Sequence, residues 1–410
     1  MIGNASSLMV IQLLNMLIPI IMMPVLISSI GVNNFGIIAF AGYFSGILLI
    51  ACDYGFVYTG PQQVSHNQTD TAFLSRLFST ITAIKLLFFL LSILVTVAFC
   101  FFYKVLSAEE KKVMFISLLA VAGNILTPVW FLQGIQQLRS LTIVTVIFKI
   151  LQLGMLILFV SSKSDLILAS LLFFGSNFLL GLVVFIYTVI KFNLRLNVPG
   201  RKDLLDQLQK GFNMFLSVFF SSIYIQGTGL MLGLLTGNNQ TVAYYNSAEK
   251  IVRALTGLFN PLIQAFYPFI SKLFLVDKKM AKVLFFKFFK LILIIAFVAA
   301  GALALMAGFI VDVLFGNTFE PAIVLIWILS PIVVFGNAGN MLGNNLFVHL
   351  KWEKTTVYVM FILAVVSMLL SYVLVNHYLA NGAAISLLIV EALGAFLFFV
   401  YYSWKKAGIA

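Results

Sequence analysis

Glu249, Lys250 and Arg253 stand inside Ala243–Pro268, a stretch otherwise apolar enough to cross a bilayer. An ionisable side chain at the centre of a spanning helix costs at least ~2.5 to 3.5 kcal/mol on insertion scales, so such groups face a bundle interior or a wet cavity. Two further cations, Lys85 and Lys149, lie deep in other apolar runs, as does the acid Glu391, while Asp53 falls near the inner end of its own run. At ~1.5 Å of rise per residue, Lys85 is roughly 13 Å along its helix from the polar end near Arg76, and Lys149 roughly 15 Å from Arg139. By the same rise of ~1.5 Å, Glu249 and Arg253 are roughly 12 Å and 18 Å from Thr241. In an ~30 Å hydrocarbon core these are middle depths, beyond what the snorkelling of a long basic side chain recovers. Lys85, Lys149, Lys250 and Arg253 are therefore expected at one level, from three helices, around a polar cavity.

Uncompensated cations around a cavity suit an anionic substrate, and a guanidinium in particular grips phosphate oxygens bidentately. The competing use of these groups is pairing. Glu249 and Arg253 have the spacing of neighbours on one helix face, and Asp53 and Glu391 are the acids available to the others. Lys85 and Lys149 have no acid nearby in sequence. A lone buried acid also binds a coupling proton or Na⁺, which makes Glu249 and Glu391 candidate ion sites. Trp130, Tyr244 and Tyr245 are placed to stack on sugar rings, although packing is the commoner use of such aromatics.

What must position these groups is set by composition. Of 410 residues 62% are hydrophobic and 9% charged, against roughly 25% charged in a soluble domain. Apolar runs of membrane-spanning length recur along the whole chain, each closed by a short polar or Gly/Pro break, which is the form of an all-α integral membrane protein. Twelve spans are expected, near residues 8–30, 36–60, 77–103, 113–133, 142–162, 166–190, 211–235, 242–271, 288–314, 321–347, 356–376 and 382–403. Residues 1–30 contain no Lys or Arg and run into equally apolar segments, so they read as the first span and not as a leader.

With the N-terminus in the cytoplasm, the inner connections collect the basic runs Lys191–Lys210, Lys272–Lys290 and Lys351–Lys354 and the tail pair Lys405 and Lys406, whereas the outer ones hold Lys104, Lys111, Lys112 and Lys163. This positive-inside bias puts both termini in the cytoplasm. The net charge of +12 is thus topological, facing anionic membrane lipids, and nucleic acid is excluded as a partner.

The charged connection 191–210 divides the chain into lobes of residues 1–210 and 211–410. Across it Gly36 aligns with Ala243, Ala41 with Ala248, Asp53 with Asn260 and Pro61 with Pro268 at one offset. Leu126-Thr127-Pro128-Val129 aligns with Leu329-Ser330-Pro331-Ile332 at a second. Six spans per half is an even number, so both halves enter the membrane in the same sense, related by an axis along its normal with a central cavity between them, as in transporters built from parallel repeats. Pro19, Pro24, Pro61, Pro128, Pro261, Pro268 and Pro331 are expected bends. The pairs Gly42 with Gly46, Gly229 with Gly233 and Gly339 with Gly343 are expected close-packing sites.

Other chemistries find no support. Cys52 and Cys100 lie in apolar runs and read as buried free thiols, and His66, His349 and His377 are scattered and form no metal-ligand set. There is no phosphate-cradling P-loop for direct ATP drive, no catalytic constellation and no large loop to house one. No cofactor is expected beyond a coupling proton or Na⁺.

Several stretches resemble the polysaccharide transporter branch of the multidrug/oligosaccharidyl-lipid/polysaccharide exporter superfamily, specifically O-antigen flippases of the Wzx type. They are Leu26–Ala41 (LISSIGVNNFGIIAFA), Asp53-Tyr54-Gly55-Phe56, Pro128–Gly134 (PVWFLQG), Lys149, Tyr245–Arg253, Asn260-Pro261 and Tyr267-Pro268, in the family's order across both halves. The chain departs from the pattern at Gln62 and Gln136, where the family often carries a basic residue and an acid. The resemblance implies a two-lobed, twelve-helix flippase of the bacterial inner membrane, not an enzyme. It would move an undecaprenyl-diphosphate-linked oligosaccharide repeat unit to the outer leaflet by alternating access, alongside other O-antigen assembly proteins. It also implies that the pyrophosphate and glycan meet Lys85, Lys149, Lys250 and Arg253 together with Gln133 and Trp130. The alternatives are a cation-coupled multidrug exporter of the same superfamily, which would want acids in the first-half cavity, a lipid II flippase, usually two helices longer, and a membrane-embedded polymerase or glycosyltransferase, which would want a large outer loop.

Overall fold

Inside a bilayer every backbone N–H and C=O must find a partner within its own segment, so apolar runs of this length form helices. The computed structural model describes the backbone of residues 2–407 and the side chains of residues 9–352 and 354–406. The helices are α1 Ile2–Asp53, α2 Phe56–His66, α3 Thr71–Phe102, α4 Ala108–Leu126, α5 Val129–Gly134, α6 Leu138–Phe159, α7 Leu166–Lys191 and α8 Arg201–Thr236. They continue as α9 Asn239–Gly257, α10 Asn260–Val276, α11 Lys278–Phe315, α12 Pro321–Leu329, α13 Ile332–Gly339, a π-helical turn Asn340–Leu346, α14 Phe347–His349 and α15 Glu353–Ala407. Short polar residues start several of them. Asp70 accepts from the Phe73 amide, Ser107 and Glu110 form a reciprocal cap on α4, and Asp277 accepts from Lys279 and Met280. Each such cap contributes about 1 kcal/mol.

Among the described residues nine helical stretches are long and apolar enough to cross a membrane, which makes this a multi-pass membrane protein. Two of these, Met9–His66 and Lys354–Lys406, are far longer than the roughly 20 residues that an ~30 Å core accommodates. Each is interrupted where the backbone leaves helical geometry, at Gly31 (φ 82°, ψ 163°) and at Leu379 (φ 50°, ψ −126°). Glycine adopts the first without cost. Leu379 holds a left-handed backbone that a branched side chain rarely takes.

The chain divides into two compact units, Met1–Ser222 and Ile223–Ala410, the division falling inside α8. In the first unit α4 packs along α7, α1 lies against α4, α6 and α3, and α2 lies on α5. Its core includes Tyr54, Phe56, Leu77, Phe78, Trp130 and Phe131. In the second unit α9 packs on α12, α13 and α15, and α11 on α13, α12 and α10.

Four expected spans are broken, and the breaks occur at matched places in the two units. The span at 36–60 is interrupted at Tyr54 (φ 51°) and Gly55 (φ 73°), before α2. The span at 242–271 is interrupted at Leu258 and Phe259, between α9 and α10. The spans at 113–133 and 321–347 are interrupted at Thr127-Pro128 and Ser330-Pro331. The Thr127-Pro128 and Ser330-Pro331 breaks coincide in the repeat, and the other two lie within a few residues of its aligned Asp53 and Asn260. At Pro128, Pro331 and Pro261 the reason is the proline, which lacks the N–H that would continue the ladder and disfavours helix at the residue before it, whereas Tyr54 and Gly55 break the helix by their left-handed backbone. Pro19, Pro24, Pro61 and Pro268 lie within helices instead.

Candidate functional site

In the first unit the site is built by two glycines. A Cβ on Gly123 of α4 would stand 2.2 Å from the Asn177 carbonyl oxygen, and one on Gly181 of α7 would stand 2.3 Å from the Gly123 carbonyl oxygen. Only hydrogen at both positions lets the two backbones meet. That approach sets Asn124 and Asn177 on the wall of a cavity of about 280 Å³, which Lys149 enters from α6. Lys149 Nζ donates to Asn177 Oδ1 at 3.2 Å and to Gln152 Oε1 at 3.3 Å. Gln152 is held in turn by its amide, which donates to the carbonyls of Leu172 and Phe173. Among the described residues no carboxylate lies on the cavity wall and none reaches Lys149 within 4 Å.

Lys85 is placed differently. Its Nζ donates to Asp53 Oδ1 at 2.7 Å, with the lysine side chain 2% exposed and the aspartate 15%. The pair closes because α1 ends at Asp53: the left-handed Tyr54 and Gly55 turn the chain, and Tyr54 stacks on Phe88 and Phe215. At Gly55 (φ 73°) a Cβ would come within 3.2 Å of the Phe215 amide, so a side chain at this corner meets both a left-handed backbone and a close neighbour. The expectation that Lys85 is uncompensated is thus corrected, since an acid distant in sequence meets it across α1 and α3. Lys85 is not on the wall of the Lys149 cavity.

Trp130 is part of the core instead of a stacking surface. It is buried, in ring contact with Phe78 and Phe131, and covers Gly60, where a Cβ would be 2.7 Å from the indole. Gln133 is half-buried on the same short helix, α5.

In the second unit Arg253 sits between two carboxylates. Its Nη1 donates to Glu391 Oε1 of α15 at 2.8 Å, and its Nε stands 3.6 Å from Glu249 Oε1 one turn earlier on α9. The glutamate side chains are 3% and 7% exposed and the arginine 23%. Lys250, half-buried on α9, makes no ion pair among the described residues. Tyr244 meets Phe319 edge to face, and Tyr245 is fully buried.

Apart from Lys250, the expected charges thus resolve into three settings: in the first unit a closed pair (Asp53 with Lys85) and a cation open to a cavity without a carboxylate among the described residues (Lys149), and in the second a cluster of Arg253 with Glu249 and Glu391. The amides that accompany Lys149, namely Asn124, Gln152 and Asn177, were not legible as a group, since they lie on three helices. The close glycines beside two of them, Gly123 and Gly181, are the only signal. Among the described residues no cluster of His, Cys, Asp or Glu could hold a metal ion. Cys52 and Cys100 are free and buried.

A relative from Escherichia coli (strain K12), named "Putative O-antigen transporter", is 26% identical over 411 aligned residues, covering 98% of this chain and 97% of that one. A protein of the same name from Shigella dysenteriae is 24% identical over 66% of this chain and 67% of its own. Among solved structures, a multidrug resistance MATE family transporter of the MOP superfamily in its inward-facing conformation superposes with a TM-score of 0.76, at 14% identity, over 97% of this chain and 98% of that one. The lipid II flippase MurJ in an inward closed conformation superposes with a TM-score of 0.75, also at 14% identity, over 98% of this chain and 88% of that one. The fold is therefore that of these transporters. The model of the family described as "Polysaccharide biosynthesis protein" matches residues 1–274, and the chain belongs to that family.

Proposed function

We propose that this protein is a flippase of the bacterial inner membrane that carries an undecaprenyl-diphosphate-linked O-antigen repeat unit from the cytoplasmic to the periplasmic leaflet. The observation that carries the reading is Lys149, a cation open to a polar, acid-free cavity inside an apolar bundle. A buried charge is retained there against a cost of several kcal/mol, which an anionic head group would offset. The near full-length likeness to a protein named for O-antigen transport supports the same reading. In this scheme twelve passes form two six-helix lobes, residues 1–210 and 211–410, with both termini cytoplasmic and the lipid tail remaining in the bilayer. The polar head crosses a central cavity by alternating access, which no enzymatic step need accompany. Other O-antigen assembly proteins deliver and receive the substrate.

Glu249 and Glu391, two buried carboxylates around Arg253, are the groups through which coupling to a proton or Na⁺ would act. A multidrug exporter of cationic compounds would want a carboxylate in the first cavity, where the wall has none among the described residues. The test is reconstitution in proteoliposomes with a lipid-linked oligosaccharide, reading its accessibility to an external glycan-modifying enzyme. Protein-dependent exposure that falls at least ~10-fold with Lys149→Gln supports the reading. Exposure equal to that of empty liposomes, with the protein folded and inserted, overturns it.

A further inference from the structure

Lys149 is held by a side chain that is not itself part of the cavity wall. Gln152 is 1% exposed and lies one turn along α6 from the lysine. Its neighbours fix which way its amide points. The carbonyls of Leu172 and Phe173 on α7 only accept and an ammonium only donates. The amide nitrogen therefore faces α7, at 3.2 Å and 2.8 Å, and the amide oxygen faces Lys149 Nζ, at 3.3 Å. Asn177 Oδ1 accepts from the same ammonium at 3.2 Å. A lysine stem is long enough to carry its charge several ångströms toward an interface. Here two acceptors fix it at one depth, and of its three donors one N–H is left for the cavity.

Other residue types at position 152 would each lose part of this arrangement. A carboxylate would grip the ammonium more tightly than an amide does, but it has no hydrogen to give and would stand against the Leu172 and Phe173 carbonyls. It would also neutralise the charge, as Asp53 does for Lys85 in the same unit at 2.7 Å. An apolar side chain would leave the ammonium with one partner and take the donor away from both carbonyls. An amide of this length ties α6 to α7, fixes the ammonium and leaves its positive charge uncompensated.

We propose that Gln152 is a positioning residue, a clamp that holds Lys149 in place for the substrate while preserving its charge and without touching the substrate itself. The proposal rests on the flippase reading for its effect on transport and on the hydrogen bonds alone for its effect on Lys149. Gln152→Met removes the clamp, and Gln152→Glu keeps its shape while closing the charge.

Flipping by the full-length protein in proteoliposomes, measured over a range of lipid-linked oligosaccharide densities, gives KM and kcat. Each variant should raise KM at least ~10-fold, the lower end of what a hydrogen bond to a charged group is worth, with kcat within ~2-fold of wild type. In a Lys149→Gln background Gln152→Met should change KM by less than ~2-fold, because the clamp then has nothing to hold. A residue that serves only the helix pair costs the same factor in both backgrounds. A second readout needs no transport: acylation of Lys149 by an amine-reactive ester in lipid nanodiscs, followed by mass spectrometry. Gln152→Met should speed it and Gln152→Glu slow it, each at least ~3-fold. Should Gln152→Met fail to fold, Gln152→Glu carries the test, with KM raised and acylation slowed. Unchanged KM, an equal rise in KM with and without Lys149, or unchanged acylation overturns the clamp and leaves transport standing. Acylation that responds as stated in a protein that flips nothing does the reverse.

Discussion

Asp53 and Lys85 offer the sharpest test of whether an intramembrane charge here supports the fold or the substrate. At 2.7 Å the attraction in an effective dielectric of ~20 is about 6 kcal/mol gross, from which the desolvation of both ions, several kcal/mol each, must be subtracted. The net value of such a pair is small, but breaking it is costly, because the surviving ion is left buried. Lys85→Met should therefore destabilise by ~3–5 kcal/mol, the side chain being 2% exposed and its partner 15%. Adding Asp53→Asn removes the stranded carboxylate, and the double variant should return to within ~1.5 kcal/mol of wild type. Unfolding free energies in mixed micelles, measured for both singles and the double, give the coupling. If the pair serves the fold, flipping activity recovers in the double variant together with stability. A double variant as unstable as the sum of the singles would refute the ion-pair argument, and one that is stable but inactive would show that Lys85 meets the substrate.

The remaining expectations concern the other two settings and the glycines. Arg253→Ala strands Glu249 and Glu391 against each other and should cost ~3–5 kcal/mol. Arg253→Lys keeps the charge but not the two-sided grip, and should fall between, in the same micelle assay. Lys149→Ala removes a charge that no carboxylate neutralises, so it should lower flipping at least ~10-fold while costing less than ~1.5 kcal/mol of stability. Wild-type flipping by that variant would show that the cavity is not on the substrate's path. Gly123→Ala drives a methyl into the Asn177 carbonyl at 2.2 Å and should cost ~1–3 kcal/mol or more, whereas Gly42→Ala, with nothing within 4 Å of the added atom, should be neutral or stabilise by up to ~1 kcal/mol.

The helical membrane class is legible in hydropathy because a bilayer leaves the backbone few alternatives. The breaks at Pro128 and Pro331 are legible for an equally local reason, the missing N–H. The corner at Tyr54 and Gly55 is less so, because a glycine in an apolar run signals tolerance of a turn without requiring one. Of the small-residue pairs expected to mark close packing, Gly343 does so against Phe398, while Gly42 meets nothing and the tight backbone approach of α4 to α7 belongs to Gly123 and Gly181. Four-residue spacing along one helix locates a flat face. It does not say which helix will arrive, and here the approach needs glycines on two helices distant in sequence. Charge partners follow the same rule. Glu249 and Arg253 pair one turn apart on one helix and could be foreseen, whereas Lys85 with Asp53 and Arg253 with Glu391 depend on which helices touch.

The three settings together narrow what the deep charges are for. A membrane protein that needed them only to hold its helices would close each one, as Asp53 closes Lys85, because an open charge costs more than any single hydrogen bond returns. In the second unit Arg253 meets Glu249 and Glu391, whereas in the first Lys149 opens on a cavity whose wall, among the described residues, holds no carboxylate. Helix packing gives no reason for that opening. An anionic group on a ligand would close it, as the proposed flippase requires, whereas an exporter of cations would need a carboxylate where Lys149 stands.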